Sequence, residues 1–307
     1  MKILITGGTG FIGSNLCIYL INQGHTVFCL DNNFTGNLYN ISSIKNHKNF
    51  CYIYHDILNP LTLDTDIDQI YHLACPASPP KYQADSIYTS KVCYIGTLNV
   101  LEFARKKNSR ILLTSTSEIY GEPLISPQIE DYRGNVNTIG IRSCYDEGKR
   151  IAETLMMDFH RKYNVETRIA RIFNTYGPQM DKTDGRVISN FINQALNNKD
   201  ITIYGDGSQT RSFCYISDQI NGLVKLINSD CILPINIGNP NELTVQQVAL
   251  KIIELTNSKS KLINLPLPKD DPTNRKPDIT KASKILHWNP DIKFEEGLKL
   301  TIEFFKK

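Results

Sequence analysis

Lys2-Ile3-Leu4-Ile5-Thr6-Gly7-Gly8-Thr9-Gly10-Phe11-Ile12-Gly13 decides the fold. A strand-forming run leads into a glycine turn, and the turn opens a stretch at residues 11–23 whose apolar spacing is near 3.6. Glycines at 7, 10 and 13 let the backbone turn tightly, approach a pyrophosphate and pack the helix on the sheet. The helix N-terminus, at Phe11 and Ile12, supplies amide donors and positive dipole. The next strand pattern, Thr26–Asp31, ends in Asp31. A carboxylate there accepts both hydroxyls of an adenine ribose and repels a 2′-phosphate, so the pattern predicts NAD rather than NADP.

Outward from this turn, short apolar runs alternate with helical patterns. Strands are expected at residues 2–6, 26–31, 50–54, 69–73, 110–115 and 166–171, and helices at 11–23, 86–105 and 146–163. Strict alternation implies a parallel sheet covered on both faces. The expected fold class is α/β, a Rossmann-type doubly wound parallel sheet with a smaller C-terminal substrate-binding region. Beyond residue 174 the alternation loosens and turn signals such as Tyr204-Gly205-Asp206-Gly207 appear. We therefore expect the NAD-binding domain over residues 1–174, completed by later segments, and a second region over 175–307 that completes a substrate cleft.

The chain has 307 residues, 41% hydrophobic and 21% charged, which is an ordinary globular balance. Its net charge of +3 is too small for a nucleic-acid footprint, so no nucleic-acid partner is expected. The first residues already read as strand and no apolar run is long enough to span a bilayer; we expect no membrane association and a cytoplasmic enzyme. Eight cysteines and six histidines show no metal-ligand or Cys-x-x-Cys spacing, so no metal is expected and the cysteines read as reduced core residues.

Further positions fit the cofactor pocket. Asp56 ends the third strand, where its carboxylate can accept from an adenine amino group while the Ile57 amide donates to the ring; the alternative is a helix N-cap. Leu73-Ala74 closes the fourth strand with a small residue, as expected beside pyrophosphate and ribose. Tyr145 and Lys149 lie at i and i+4, on one helix face. A phenol with an ordinary pKa of about 10 is a poor base at neutral pH, but an ammonium and a nicotinamide cation nearby favour its phenolate. Thr116, closing the fifth strand, can bond the same reacting oxygen, which completes a set poised for hydride transfer.

With these residues in place, the chain resembles the UDP-glucuronate decarboxylases, or UDP-xylose synthases, of the extended short-chain dehydrogenase/reductase superfamily. The resemblance runs from Lys2 to near Phe305. It is carried by Cys75-Pro76-Ala77-Ser78-Pro79-Pro80, Ser115-Thr116-Ser117-Glu118, Arg142-Ser143-Cys144-Tyr145-Asp146-Glu147-Gly148-Lys149-Arg150, Ala170-Arg171-Ile172-Phe173-Asn174-Thr175, Asp184-Gly185-Arg186-Val187 and Asn274-Arg275-Lys276-Pro277-Asp278.

The resemblance implies oxidation of UDP-glucuronate at C4, loss of carbon dioxide from the β-keto acid, and return of the hydride, so that NAD is regenerated. Tyr145 is then the proton acceptor, Lys149 its partner, and Thr116 polarises the C4 oxygen. Glu118 and Arg275 stand at the carboxyl end; a structural salt bridge is the alternative. Ser117 replaces the acid with which dTDP-glucose 4,6-dehydratases expel water. Glu118 argues against a 4-epimerase, though a dehydratase or epimerase of the same superfamily remains the competing reading. A dinucleotide-binding protein without activity and an NADPH-consuming reductase are further alternatives. Asn32, Phe34, Thr35, Gly36 and Thr114 are expected along the cofactor. Lys91 and Asn99 are expected on the sugar and phosphate path, Asn174 at the diphosphate, Arg186 and Arg211 at phosphate and ribose, and Tyr204 beside uracil. Val92-Cys93-Tyr94 and Thr62 depart from the family's pattern. The resemblance also makes the region over 175–307 mainly nucleotide-sugar-binding and implies a homodimer through the helices at 86–105 and 146–163.

Overall fold

The computed structural model describes residues 1–266 and 274–307. Seven strands form one sheet: β1 (Lys2–Thr6), β2 (Thr26–Asp31), β3 (Phe50–Tyr54), β4 (Gln69–His72), β5 (Arg110–Thr116), β6 (Thr167–Ile172) and the strand Ile235–Ile237. Their spatial order is β3, β2, β1, β4, β5, β6, Ile235–Ile237, and every neighbouring pair is parallel. The expected doubly wound sheet is therefore present, with strand ends within one residue of the expected ones.

The uninterrupted apolar runs are explained by burial on both faces. Ile3 and Ile5 point into one core and Leu4 into the other, as a period of two requires. One face is covered by α1 (Phe11–Asn22), through Leu16 and Leu20, and by Leu223 and Leu226 of a helix described below. Four helices follow β4 in turn: α2 (Pro79–Ala84), α3 (Ser86–Lys91), α4 (Thr97–Lys107) and α5 (Ser143–Tyr163). The opposite face carries α4 and α5, through Val100, Phe103, Ala152, Met156 and Phe159.

The stretch at 86–105, expected as one helix, is interrupted by a π turn at Val92–Gly96. Gly96 makes this packing possible: a Cβ there would lie 2.5 Å from Ile57 Cδ1. The helix thus presses on the loop after β3, and Asn99 Nδ2 donates to the carbonyls of Ile57 and Leu58 at 2.9 and 3.0 Å.

The remaining helices are α6 (Val187–Leu196), α7 (Ile216–Ile227), α8 (Val245–Thr256), α9 (Thr280–Leu286) and α10 (Phe294–Phe305). Both α7 and Ile235–Ile237 come from beyond residue 174 yet pack on the main sheet. A smaller layer stands over its carboxyl edge. There the strand Ile201–Tyr204 pairs with Leu262–Leu265, and Thr210–Ser212 lies between Glu242–Thr244 and Asn274–Arg275. Among the described residues no helix is long and apolar enough to cross a membrane.

A buried ion pair locks β6 to α5. Arg171 donates to Glu153 at 3.0 and 2.8 Å, to Tyr120 Oη at 3.1 Å and to the Glu130 carbonyl at 2.8 Å. Removing one member of such a pair strands the other charge. Glu153→Ala is therefore expected to cost about 3–5 kcal/mol. Replacing both residues with apolar ones of similar volume should cost less, as measured by urea unfolding midpoints at unchanged slope.

Candidate active site

Parallel strands present all their carboxyl ends at one edge, and the chain leaves β1 and β4 toward opposite faces, which opens a crevice there. A cavity of about 1110 Å³ fills it. That exceeds the usual volume for one small ligand, roughly 300–1,000 Å³, and leaves room for two.

One half is built by the glycine turn. Gly7 has φ +75°, and a Cβ on it would lie 2.7 Å from the Ala74 amide nitrogen. On Gly13 it would lie 2.1 Å from the Gly7 carbonyl oxygen, and on Gly10 at 3.2 Å from the same atom. No side chain caps α1, whose N-cap is Gly10, and its first turn carries no acid. These amides can receive an anion.

Asp31, 8% exposed, accepts from the amides of Thr9 (3.0 Å) and Asn33 (2.8 Å), which pins its carboxylate at the cavity wall. Asp56 accepts from Asn32 Nδ2 (2.9 Å), Tyr88 Oη (3.0 Å) and the Leu58 amide (2.9 Å). No helix begins at Asp56, so the alternative of a helix N-cap does not hold; its carboxylate instead closes a local turn through the Leu58 amide and lines the cavity. Phe34 packs against Tyr88 with ring centroids 4.6 Å apart, making an aromatic shelf. Asn32, Thr35, Gly36, Ile57, Leu73, Ala74 and Thr114 line the same half. The cradle, the free helix end and the strand-end acid fit a dinucleotide.

The reacting groups lie where the two halves meet. Tyr145 and Lys149, 6% and 4% exposed, face inward from α5. Lys149 Nζ donates to the Thr114 carbonyl at 2.9 Å and stands 5.9 Å from the Tyr145 ring centroid. Burial, together with the nearby Cys75 thiol, pushes the Tyr145 phenol well above its ordinary pKa, against a hydrogen bond from Thr116. The phenol is therefore protonated in this state. Tyr82 of α2 stacks on it, 5.0 Å between centroids and 4° from parallel.

After β5 a tight turn at Ser117–Tyr120 brings Ser117 and Glu118 to the cavity, and the Glu118 amide donates to Thr116 Oγ1 at 3.2 Å. Glu118 is clamped between two guanidiniums, Arg142 and Arg275, the latter at 2.9 Å. Arg275 is itself held by the Gly121 carbonyl at 2.7 Å. Burial raises the Glu118 pKa, but the two arginines together outweigh it and hold the carboxyl at about 2. Asp146 behaves oppositely: burial and the neighbouring Glu118 push it up to about 7, against Arg142 and Arg275.

The other half is lined by Asn174, Arg186, Tyr204 and Arg211. Arg186 is paired with Asp184. Arg211 and Arg275 occupy matched positions on adjacent parallel strands, so both side chains leave one face of that small sheet. Lys91 and Asn99 do not take the place expected of them. Lys91 is exposed and outside the cavity, because α3 turns it toward solvent, and Asn99 holds the loop after β3 from behind. Arg142, Tyr82, Tyr88 and Asp184 were not foreseen as site residues. Arg142 stood inside a motif already quoted, but its reach to Glu118 depends on the fold. Among the cysteines Cys51 is exposed, so the core reading does not hold for it, and Cys75 packs against the core while also lining the cavity.

This arrangement is that of an extended short-chain dehydrogenase/reductase, and the chain belongs to the GDP-mannose 4,6 dehydratase family, whose model matches residues 4–301. Within that class it is similar to UDP-glucuronic acid decarboxylase 5 of Arabidopsis thaliana, 53% identical over 307 residues, covering all of this chain and 89% of the relative. It is also similar to UDP-glucuronic acid decarboxylase 1 of Danio rerio, 51% identical, covering 100% and 73%. Among solved structures it matches the UDP-glucuronic acid 4-epimerase of Bacillus cereus in complex with UDP-glucuronic acid and NAD. There the TM-score is 0.88 and the identity 29%, with 100% and 99% of the two chains covered. The UDP-glucose 4-epimerase of Thermotoga maritima with UDP-glucose matches at TM-score 0.91 and 28% identity, covering 100% and 99%.

Two outcomes follow from the geometry. Gly13→Ala should abolish dinucleotide binding, read by calorimetric titration with NAD, because the backbone it meets has nowhere to go. Glu118 has a folded pKa below its unfolded value of about 4.3, so its stabilising effect is complete above that value and fades as pH falls toward 2. The stability gap between wild type and Glu118→Gln should therefore shrink below pH 4, as followed by urea unfolding; between pH 5 and 8 it also varies, because Glu118 raises the pKa of Asp146.

Proposed function

We propose that this protein decarboxylates UDP-glucuronate to UDP-xylose with NAD as its resident cofactor. The observation that carries the reading is the Glu118 carboxylate, clamped by Arg142 and Arg275 within the cavity that Tyr145 and Thr116 line. Similarity at 50–53% identity to UDP-glucuronic acid decarboxylases supports it. Gly7, Gly10, Gly13 and the α1 amides would hold the pyrophosphate, Asp31 the adenine ribose, and Lys149 the nicotinamide ribose. The cofactor supplies a hydride acceptor that also returns the hydride, so no net oxidation results.

The chain's own groups then have defined tasks. Thr116 orients the C4 hydroxyl toward Tyr145, which takes its proton. Burial opposes the phenolate, so Tyr145 acts only while positive charge is close, and Lys149 supplies part of it. Arg275 steers the uronate carboxylate. Its partner Glu118 is ionised throughout the neutral range and orders a water or proton donor rather than acting as the acid. Ser117 lacks an acidic proton for expelling water, which disfavours a 4,6-dehydratase. Asn174, Arg186 and Arg211 meet the diphosphate and ribose, and Tyr204 the base, so that residues 175–307 mainly serve the nucleotide sugar. The protein works as a cytoplasmic homodimer in this reading. Exposed Ile87, Tyr94, Ile95 and Ile151, on and between α3 and α5, support a self-association face.

Proton NMR of the protein with UDP-glucuronate and catalytic NAD should show UDP-xylose accumulating at constant NAD. Accumulation of UDP-galacturonate instead would identify an epimerase. Tyr145→Phe should lower kcat by about 10²–10⁴-fold, the usual weight of a general base, with KM little changed.

A further inference from the structure

We propose that Cys75 and Cys93 form a peroxide-sensitive thiol pair whose oxidation to a disulfide reversibly disables the dinucleotide crevice. The two sulfurs stand 3.4 Å apart in hydrogen-bond contact. They come from unconnected segments: Cys75 follows β4 directly after Ala74 and lines the cavity, whereas Cys93 sits in the π turn at Val92–Gly96 and is 2% exposed. π turns inside helices concentrate at functional sites. Cys93 also lies in the segment that departs from the pattern expected of similar enzymes. None of the tasks assigned above uses either thiol.

The pair is built asymmetrically. The hydrogen bond from Cys93 lowers the Cys75 pKa, burial opposes that, and the Lys149 ammonium lowers it further. Of the two thiols Cys75 is thus the more readily ionised and the one open to the cavity, as a peroxide-reactive cysteine must be, although its sulfur also meets the Pro76 carbonyl at 3.3 Å. Its sulfur attacks one peroxide oxygen, the O–O bond breaks, and hydroxide leaves as water with the thiol proton, giving a sulfenic acid. The Cys93 sulfur then attacks the Cys75 sulfur, the S–O bond breaks, and a second water carries off the Cys93 proton. Two electrons pass from the thiol pair to the peroxide.

Closing the bond brings the sulfurs to about 2.05 Å. Cys93 is backed by α5, where a Cβ on Gly148 would lie 2.8 Å from its sulfur. Cys75 is one residue beyond Ala74, whose amide borders Gly7. The movement therefore falls on the wall of the glycine turn and on the helix turn between Tyr145 and Lys149. A misplacement near 1 Å at reacting groups costs on the order of 10²-fold in rate.

The test is stepwise hydrogen peroxide treatment of the purified protein, alkylation of the remaining thiols and peptide mapping, a readout that needs no assumption about substrate. A single Cys75–Cys93 crosslink is expected, with loss of two hydrogen atoms from the intact mass. NAD-dependent turnover should fall in parallel and return with dithiothreitol. Cys93→Ser should keep its starting activity, form no crosslink, and progress to sulfinic acid at Cys75 with loss that dithiothreitol does not reverse. A crosslink between other cysteines, sulfinic acid at Cys75 of the wild type with Cys93 untouched, or a crosslink without loss of turnover would each overturn the proposal. Mapping of the wild type decides the matter even where the variant fails to fold.

Discussion

Two strand ends lying side by side, with the chain departing from them toward opposite faces, set the position of everything functional in this molecule. Thr6 of β1 is paired with His72 of β4, and the Gly7 turn then passes so near Ala74 that no side chain fits between them. The contact is braced from beneath. Thr6 Oγ1 meets His72 Nδ1 at 2.8 Å, and His72 Nε2 meets Thr97 Oγ1 at 3.1 Å. Burial, with Lys149 nearby, pushes the His72 pKa down to about 3, so the ring is a neutral spacer that shares hydrogen bonds on both sides. A charged imidazole at this place would be buried beside the Lys149 ammonium, and both burial and like charge disfavour it.

From that crevice the parallel arrangement distributes chemistry along one edge of the sheet. β2 delivers Asp31, β5 delivers Thr114 and Thr116, and α5 brings Tyr145 and Lys149 back across the same edge. The remaining charges arrive from above. Arg275 lies on a two-residue strand whose neighbours are tied to the main sheet through Asn236, which bonds the carbonyls of Gln128 and Asp278 and accepts from Tyr120 Oη. Glu118, Arg142 and Arg275 thus meet from three distant parts of the chain. Low dielectric makes their attraction strong and leaves the acid ionised, whereas the same burial raises Asp146 and Tyr145. One small volume therefore holds an acid fixed as carboxylate and a phenol fixed as neutral until positive charge arrives beside it.

How legible each part was depended on the range of the interaction behind it. Tyr145 and Lys149 are an i, i+4 pair, and Gly7, Gly10 and Gly13 belong to one turn, so local geometry suffices to place them. Asp31 needs only the end of the next strand. The Glu118–Arg275 pairing was expected from resemblance, and the structure adds that Arg142 completes the clamp. Lys91 and Asn99 went astray because apolar spacing does not tell which side of a helix faces solvent: Lys91 ends α3 exposed, and Asn99 turns to the Ile57 and Leu58 carbonyls. The proximity of Cys75 and Cys93 has no sequence signal, since it arises where a strand end meets the π turn at Val92–Gly96.

By itself the sequence determined the parallel α/β sheet, the dinucleotide turn with its acidic partner, and the tyrosine–lysine helix face, because each is encoded by spacing within a few residues or one strand-helix unit. Only the tertiary structure decided which arginines neutralise Glu118, which way Lys91 and Asn99 face, and which thiols touch. Those outcomes are set by close packing between segments remote in the chain, where displacements of an ångström decide contact and no local pattern carries the information.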